Sequence, residues 1–193
     1  MEDEETRIRY YQIMCNESRR LETMVLDSLK LSKLQNMNEK VEKEKINLKD
    51  LLEPIVQKYS ILCDDMGLEF DIVGAIKNEC YLYTNAEYIR QILTIFLENA
   101  IKFVTDEGVI QIVLKKQKNK LIIGVKDNGI GIKKDTLPYI FERFYKEDKA
   151  HSTKGSGLGL AIAREVAIKL NEEINVNSKE GIGSTFSISI QIY

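Results

Sequence analysis

Residues 98–103 read Glu98-Asn99-Ala100-Ile101-Lys102-Phe103, and residues 127–132 read Asp127-Asn128-Gly129-Ile130-Gly131-Ile132. Phe141-Glu142-Arg143-Phe144-Tyr145-Lys146 follows, then two glycine runs, Gly155-Ser156-Gly157-Leu158-Gly159-Leu160 and Gly181-Ile182-Gly183-Ser184-Thr185-Phe186. One glycine run alone would be weak evidence, because such runs recur in unrelated turns. A series of five motifs in fixed order constrains the chain far more.

The first motif closes a helix predicted over 86–103, whose stripe Ile89, Ile92, Phe96, Asn99 and Phe103 steps by three or four residues. An asparagine in such a stripe must find a hydrogen-bonding partner or cost about 1–3 kcal/mol. Its amide is either satisfied by backbone, or its oxygen reaches a hard cation. Mg2+ suits the second reading, because it takes few protein ligands and completes its octahedron with water and phosphate oxygens. Lys102, one helical step on, is a solvated lysine or a point charge for phosphate.

The second motif follows directly on an apolar strand, Leu121–Val125. Alternate glycines let the backbone turn sharply and approach a flat ligand. Asp127 at the strand end can accept from an exocyclic amine such as that of adenine; an ordinary Asp-Asn-Gly turn is the plainer reading. Gly155–Leu160 opens a helix over 157–170, and free N–H groups at a helix N-terminus form a phosphate site. No Gly-Lys-Ser/Thr closes the run, so it is not the Walker form, and a plain hinge stays open as a reading. The segment 133–156 between these anchors is long and polar and reads as a lid, with His151 on its surface.

Working outward, Asn47 caps a helix carrying Leu51, Leu52, Ile55, Val56, Tyr59 and Leu62, with Pro54 tolerated in its first turns. Strands are expected at Leu68–Ile72, Cys80–Tyr83, 109–115, 120–126, 173–177 and 184–192. In the last, Phe186, Ile188, Ile190 and Ile192 alternate with Ser187, Ser189 and Gln191, so one sheet face is covered by helices. The fold class is α/β, a two-layer α+β sandwich. Residues 7 to about 36 lack Gly and Pro and read as one long helix with two apolar rows. One runs through Tyr10, Met14, Leu21, Met24, Ser28 and Leu31, the other through Tyr11, Cys15, Ser18, Val25 and Leu29. So wide a stripe predicts self-association or a partner helix. The charged stretch Asn36–Lys45 reads as a linker.

A formal charge of −2 argues against a nucleic-acid partner or an anionic membrane surface. No apolar run approaches the ~20 residues that span a bilayer. Cys15, Cys63 and Cys80 fit neither zinc spacing nor a disulfide framework, so reduced thiols in a cytosolic compartment are expected.

Taken together, the five motifs resemble the ATP-binding domain of sensor histidine kinases, over roughly residues 46–192. The resemblance implies the Bergerat-type fold shared with the gyrase, Hsp90 and MutL ATPases, with ATP and Mg2+ as cofactors. By it, Asn99 would bind Mg2+, Lys102 the phosphates, and Asp127 adenine, with Gly129 and Gly131 beside it. Phe141 and Phe144 would form an aromatic box, and Tyr145 and Lys146 would lie near the nucleotide. Gly155, Gly157 and Gly159 would hinge the lid, with Leu158 among them, and Thr185 would lie near the adenine end.

Residues 7–36 are similar to the second helix of the family's dimerisation domain. The first helix, which carries the phosphoacceptor histidine, is expected to lie outside this chain. The expected organisation is therefore a partial dimerisation helix and linker, 1–45, and a catalytic ATP-binding domain, 46–193. The implied partners are a response-regulator receiver domain and a second copy through the helical stalk. A cytoplasmic place beneath a membrane-bound sensor is implied, with no membrane contact by this part.

Three positions depart from the family pattern. Ile95 stands where the family usually has a second asparagine and gyrase-like relatives a catalytic glutamate. Asn85 replaces a common aspartate, and Asn171-Glu172-Glu173 replaces a His-Gly-Gly turn. Ile95 speaks against a gyrase-like ATPase and keeps a degenerate, non-enzymatic scaffold as a rival. The stalk-like helix argues against an anti-sigma-type serine kinase.

Overall fold

The computed structural model describes residues 2–36, 41–74, 79–146 and 156–193, apart from the side chains of Glu2, Glu5 and Asn36. Residues 147–155 of the expected lid, His151 and Gly155 among them, lie outside the described residues. In chain order the elements are α1 (Glu2–Asn36), β1 (Glu44–Asn47), α2 (Leu48–Asp65), β2 (Glu69–Val73), β3 (Tyr81–Thr84) and α3 (Ala86–Phe103). Then come β4 (Val109–Gln117), β5 (Lys120–Asp127), a 3-10 turn at Leu137–Tyr139, α4 (Gly159–Leu170), β6 (Glu173–Lys179) and β7 (Gly183–Gln191).

Five strands form one mixed sheet in the order β2-β4-β5-β7-β6. Only β2 and β4 run parallel; every other neighbouring pair is antiparallel. Period-two alternation sends Ile110, Ile112, Leu121, Ile123, Val125, Phe186, Ile188 and Ile190 to one face, where all are buried. Register lines these rows up, as in Ile112↔Val125 and Ile123↔Ile188. Helices α2, α3 and α4 cover that face, so the two-layer expectation with one covered face holds.

The caps follow from local chemistry. Asn47 Oδ1 accepts from the Lys49 N–H at 2.8 Å and starts α2; Asn85 Oδ1 accepts from the Tyr88 N–H at 3.1 Å and starts α3. Pro54 sits in the second turn of α2 and has no N–H to offer the Asp50 carbonyl four residues back. Arg90 of α3 supplies the replacement donor, its Nη2 lying 3.3 Å from that oxygen.

One sequence expectation needs correction. The charged linker ends in a strand: β1 begins at Glu44, pairs antiparallel with β3 and buries Ile46 just past the linker, and Leu82 of β3 bridges to Ile192. Four residues with one buried apolar side chain carry no readable period, and their partner lies some 37 positions away. On α1 the first predicted row meets the domain only through Met24 and Leu31, and Tyr10, Met14, Leu21 and Ser28 stay exposed. The side that meets the domain is Arg20, Met24, Asp27, Leu31 and Leu34, and of these only Leu31 and Leu34 are buried. The second predicted row stays bare, with Tyr11, Val25 and Leu29 each more than half exposed.

Candidate functional site

Asp127 continues the β5 row Leu121, Ile123, Val125, so its side chain points under the helices and is only 6% exposed. Its Oδ1 accepts from the Gly129 N–H at 2.9 Å and from the Ser184 N–H at 3.2 Å. Burial pushes the carboxyl above the usual carboxylate range, and these two donors partly offset the rise. The other oxygen, Oδ2, takes no hydrogen bond from the described residues. A buried carboxylate with one oxygen held and one left open is an acceptor aimed at something outside the fold.

Gly129 explains how the turn reaches the helix layer. A Cβ there would collide with the Phe103 carbonyl oxygen, which also accepts from the Ile130 N–H at 3.1 Å. Gly131 stands on the same turn, against the Lys179 carbonyl. Asn128 Oδ1 accepts from the Val109 N–H at 2.8 Å and closes the sheet end.

On α3 the buried set is Ile89, Ile92, Leu93, Phe96, Leu97 and Ala100. Asn99 therefore lies at the margin of the core stripe, half-buried, with no hydrogen bond to the described residues. Ile95, one turn earlier, packs on the core, and a Cβ on Gly159 would sit 3.4 Å from its Cγ2. The face carrying Ile95 thus meets the start of α4. Lys102 lays its Nζ 4.7 Å from the Phe103 ring centroid. Its pKa falls below the lysine range, first through partial desolvation and then through the Lys146 charge. Lys146 is lowered as well, by desolvation and then by Arg20 of α1, with Glu17 opposing.

Phe141 stands edge-on to Phe186 at 6.5 Å, and Phe186 also faces Phe96 at 5.4 Å, so the aromatic motif is tied into the core. Tyr145 is half-buried beside Tyr139, with ring centroids 6.0 Å apart. Phe144 takes φ +61°, a conformation that costs of order 1–3 kcal/mol for a non-glycine residue, and donates its N–H to the Gly157 carbonyl at 3.0 Å. Gly157 answers at φ +75°, where a Cβ would press on the Phe144 backbone. Leu158 is fully buried, and its N–H reaches Ser156 Oγ at 3.2 Å.

The fold gathers Asp127, Gly129 and Gly131 around one strand end, and brings Ile95 against Gly159 at the start of α4. It does not bring in Thr185. That side chain alternates with Phe186 onto the opposite sheet face, where Cγ2 lies 3.5 Å from a Cβ built on Gly124. Ser184, missed in the sequence, supplies the N–H on Asp127. Counting back two from Phe186 would have put it on the buried face. Among the described residues no cluster of three His, Cys, Asp or Glu could hold a metal, and no helix is long and apolar enough to cross a membrane.

Known proteins resemble this chain in sequence and in fold. The family model described as histidine kinase-, DNA gyrase B- and HSP90-like ATPase matches residues 84–193. The autoinducer 2 sensor kinase/phosphatase LuxQ of Vibrio vulnificus is 33% identical over 193 residues, covering 96% of this chain and 22% of that protein. The sensor protein kinase WalK of Staphylococcus aureus is 31% identical over 192 residues, covering 97% of this chain and 46% of that one. The chain thus spans less than half the length of either relative. Among solved structures, full-length ShkA in complex with AMPPNP superposes with a TM-score of 0.79 at 24% identity, over 95% of this chain and 38% of that one. The Acinetobacter baumannii histidine kinase AdeS does so with a TM-score of 0.70 at 23% identity, over 94% of this chain and 83% of that one. These two show likeness of fold. With its motifs, sheet order and family match in agreement, the chain belongs to the histidine kinase-, DNA gyrase B- and HSP90-like ATPases.

Proposed function

We propose that this chain is the nucleotide-binding catalytic part of a sensor histidine kinase, holding ATP while its γ-phosphoryl group passes to a histidine outside the chain. The observation that carries the reading is the open Oδ2 of buried Asp127, an acceptor suited to the exocyclic amine of adenine. Its partner oxygen is held by two backbone N–H groups, so the carboxylate is oriented before any ligand arrives. Gly129 and Gly131 keep the floor of the base site free of side chains.

Phosphates would lie toward the start of α4, where Gly157 and Gly159 leave backbone N–H groups accessible and the helix dipole favours anions. The Lys146 charge adds to desolvation in lowering the proton affinity of Lys102, and a polyphosphate near them would relieve that repulsion. Asn99, half-buried and without a hydrogen bond to the described residues, would offer its amide oxygen to Mg2+. A magnesium ion there would screen the phosphate charge. One neutral protein ligand fits an ion held mainly by phosphate and water. Catalysis by this part is then positioning and charge neutralisation. Tyr145 would border the nucleotide, and Thr185, on the far sheet face, would act only through the strand.

In the whole protein the phosphoryl group would go on to an aspartate of a response-regulator receiver domain. The bare rows of α1 would pair with a neighbouring helix and with a second copy, on the cytoplasmic side of a membrane-bound sensor. The organisation would be a dimerisation part, 1–45, and a catalytic domain, 46–193. A second reading, a scaffold that binds nucleotide without transferring phosphate, is favoured by Ile95, whose apolar side chain at the α3–α4 contact cannot orient water or metal. Calorimetric titration with AMPPNP, with Mg2+ and then with EDTA, tests the proposal. Mg2+-dependent, adenine-selective binding supports the kinase reading. Binding indifferent to Mg2+ favours the scaffold, and no binding overturns both.

A further inference from the structure

The contact between α1 and the start of α4 is polar as well as apolar. Ser156 Oγ donates to Asp27 Oδ2 at 2.8 Å across 129 positions of sequence, and the same oxygen accepts from the Leu158 N–H at 3.2 Å. Ser156 is 7% exposed and Asp27 half-buried, so the relay is partly shielded from water, which strengthens a hydrogen bond to a charged group. Gln35 Nε2 holds Glu165 Oε1 at 2.9 Å further along, and Leu31 and Leu34 are buried between. Leu158 is the residue that caps α4, and its N–H belongs to the end of the helix to which the proposed function assigns the phosphates. That N–H is already occupied, by a hydroxyl which a carboxylate on α1 holds in place.

We propose that the Asp27–Ser156–Leu158 relay makes docking of α1 and binding of polyphosphate at the start of α4 mutually antagonistic. A phosphate oxygen that takes the Leu158 N–H displaces Ser156 Oγ, and it brings negative charge toward the Asp27 carboxylate. Both effects weaken the hold on α1. Thermodynamic reciprocity then requires that docked α1 weaken polyphosphate by the same factor. The charge near Lys146 follows the same geometry, since Arg20, paired with Glu17, lies two turns before Asp27 on the same side of α1. Adenosine, which has no phosphate, is indifferent to the relay.

The proposal rests on reading this helix end as the phosphate site, and the experiment separates the two. AMPPNP and adenosine are titrated into the chain, into Asp27→Ala and into Ser156→Ala. A pair of labels at Lys30 and Lys169, in a Cys15→Ser background, reports the separation of α1 from α4. The expected result is AMPPNP binding about five-fold or more tighter in both variants, at the low end of usual coupling factors, with adenosine unchanged. AMPPNP should also lengthen the label separation in the otherwise unaltered chain. If AMPPNP binds but its affinity is unchanged or weaker in Asp27→Ala, or the separation stays constant, the antagonism is refuted and the nucleotide site stands. If no form binds AMPPNP, the nucleotide reading falls, and the antagonism falls with it.

Discussion

Helix α1 carries 13 apolar residues among its 35 and α3 carries 11 among 18, and the two live in different surroundings. The 18 residues of α3 bury six side chains beneath the sheet and its neighbouring helices. The 35 residues of α1 bury Leu31 and Leu34 and leave Ile8, Tyr10, Tyr11, Ile13, Met14, Leu21, Val25, Leu26 and Leu29 at about half exposure or more. An amphipathic pattern states that a face needs covering, and only packing supplies the cover. Stability in this molecule therefore concentrates where α3 lies, while α1 is held toward its C-terminal end, with the Asp27–Ser156 and Gln35–Glu165 hydrogen bonds among its polar contacts.

The contrast is broken most severely inside α3. Phe96 is fully buried against Phe186, and Phe96→Ala should cost about 3–5 kcal/mol by urea unfolding. A loss under 1 kcal/mol would mean the core is not where the structure puts it.

A smaller loss is expected where the linker is tied down. Lys43 Nζ lies 3.3 Å from Glu172 Oε1, whose side chain is 5% exposed and whose pKa is raised, chiefly by burial. Lys43→Ala should cost about 2 kcal/mol at neutral pH, below the 3–5 kcal/mol of a fully buried pair because Lys43 is partly wet. The sign with pH follows. A carboxyl whose folded pKa lies above its unfolded value binds more protons when folded, so acidification favours the fold. Without Lys43 the rise is larger, and the deficit should narrow as the pH falls from 7 toward the carboxylate range. A deficit that widens would show that Glu172 does not depend on Lys43.

Asp127→Asn sharpens the comparison from the side of function. Asparagine keeps an oxygen for the Gly129 and Ser184 N–H groups, so the melting temperature should move little. Loss of a charged acceptor for the adenine amine should weaken adenine nucleotides about ten-fold, since such bonds contribute roughly 1.5–3 kcal/mol. Equal weakening of guanine and adenine nucleotides would remove the adenine role.

The smallest effect belongs to the bare helix. Val25→Gln with Leu29→Gln should change unfolding stability by about 0.5 kcal/mol or less, because both side chains already face water. The same pair should weaken self-association in sedimentation. Loss of stability with unchanged association would mean that this row packs on its own domain.

Much of the fold was legible. The limits of α3, the alternation of β7 and the motif order are local facts, written in periods of 3.6 and 2 and in glycine turns. Asp127 was legible for the same reason, since a carboxylate two residues beyond Val125 must share its face. Asn99 belongs to the predicted stripe, yet Ala100 takes the buried position beside it, because positions adjacent in sequence differ by only about 100° around a helix. Thr185 and Ser184 were exchanged by one residue, which in a strand reverses the face.

By itself, then, the sequence determined the helices and the strands of the main sheet, their order, the family and the chemical types at the site. Tertiary structure alone decided that β1 finds β3, that Arg90 repairs the gap left by Pro54, and that Ser184 serves Asp127 across 57 positions. It also decided that Asp27 meets Ser156 across 129. Periodicity is a property of neighbours along the chain, whereas these partners are neighbours only once the hydrophobic layers have closed.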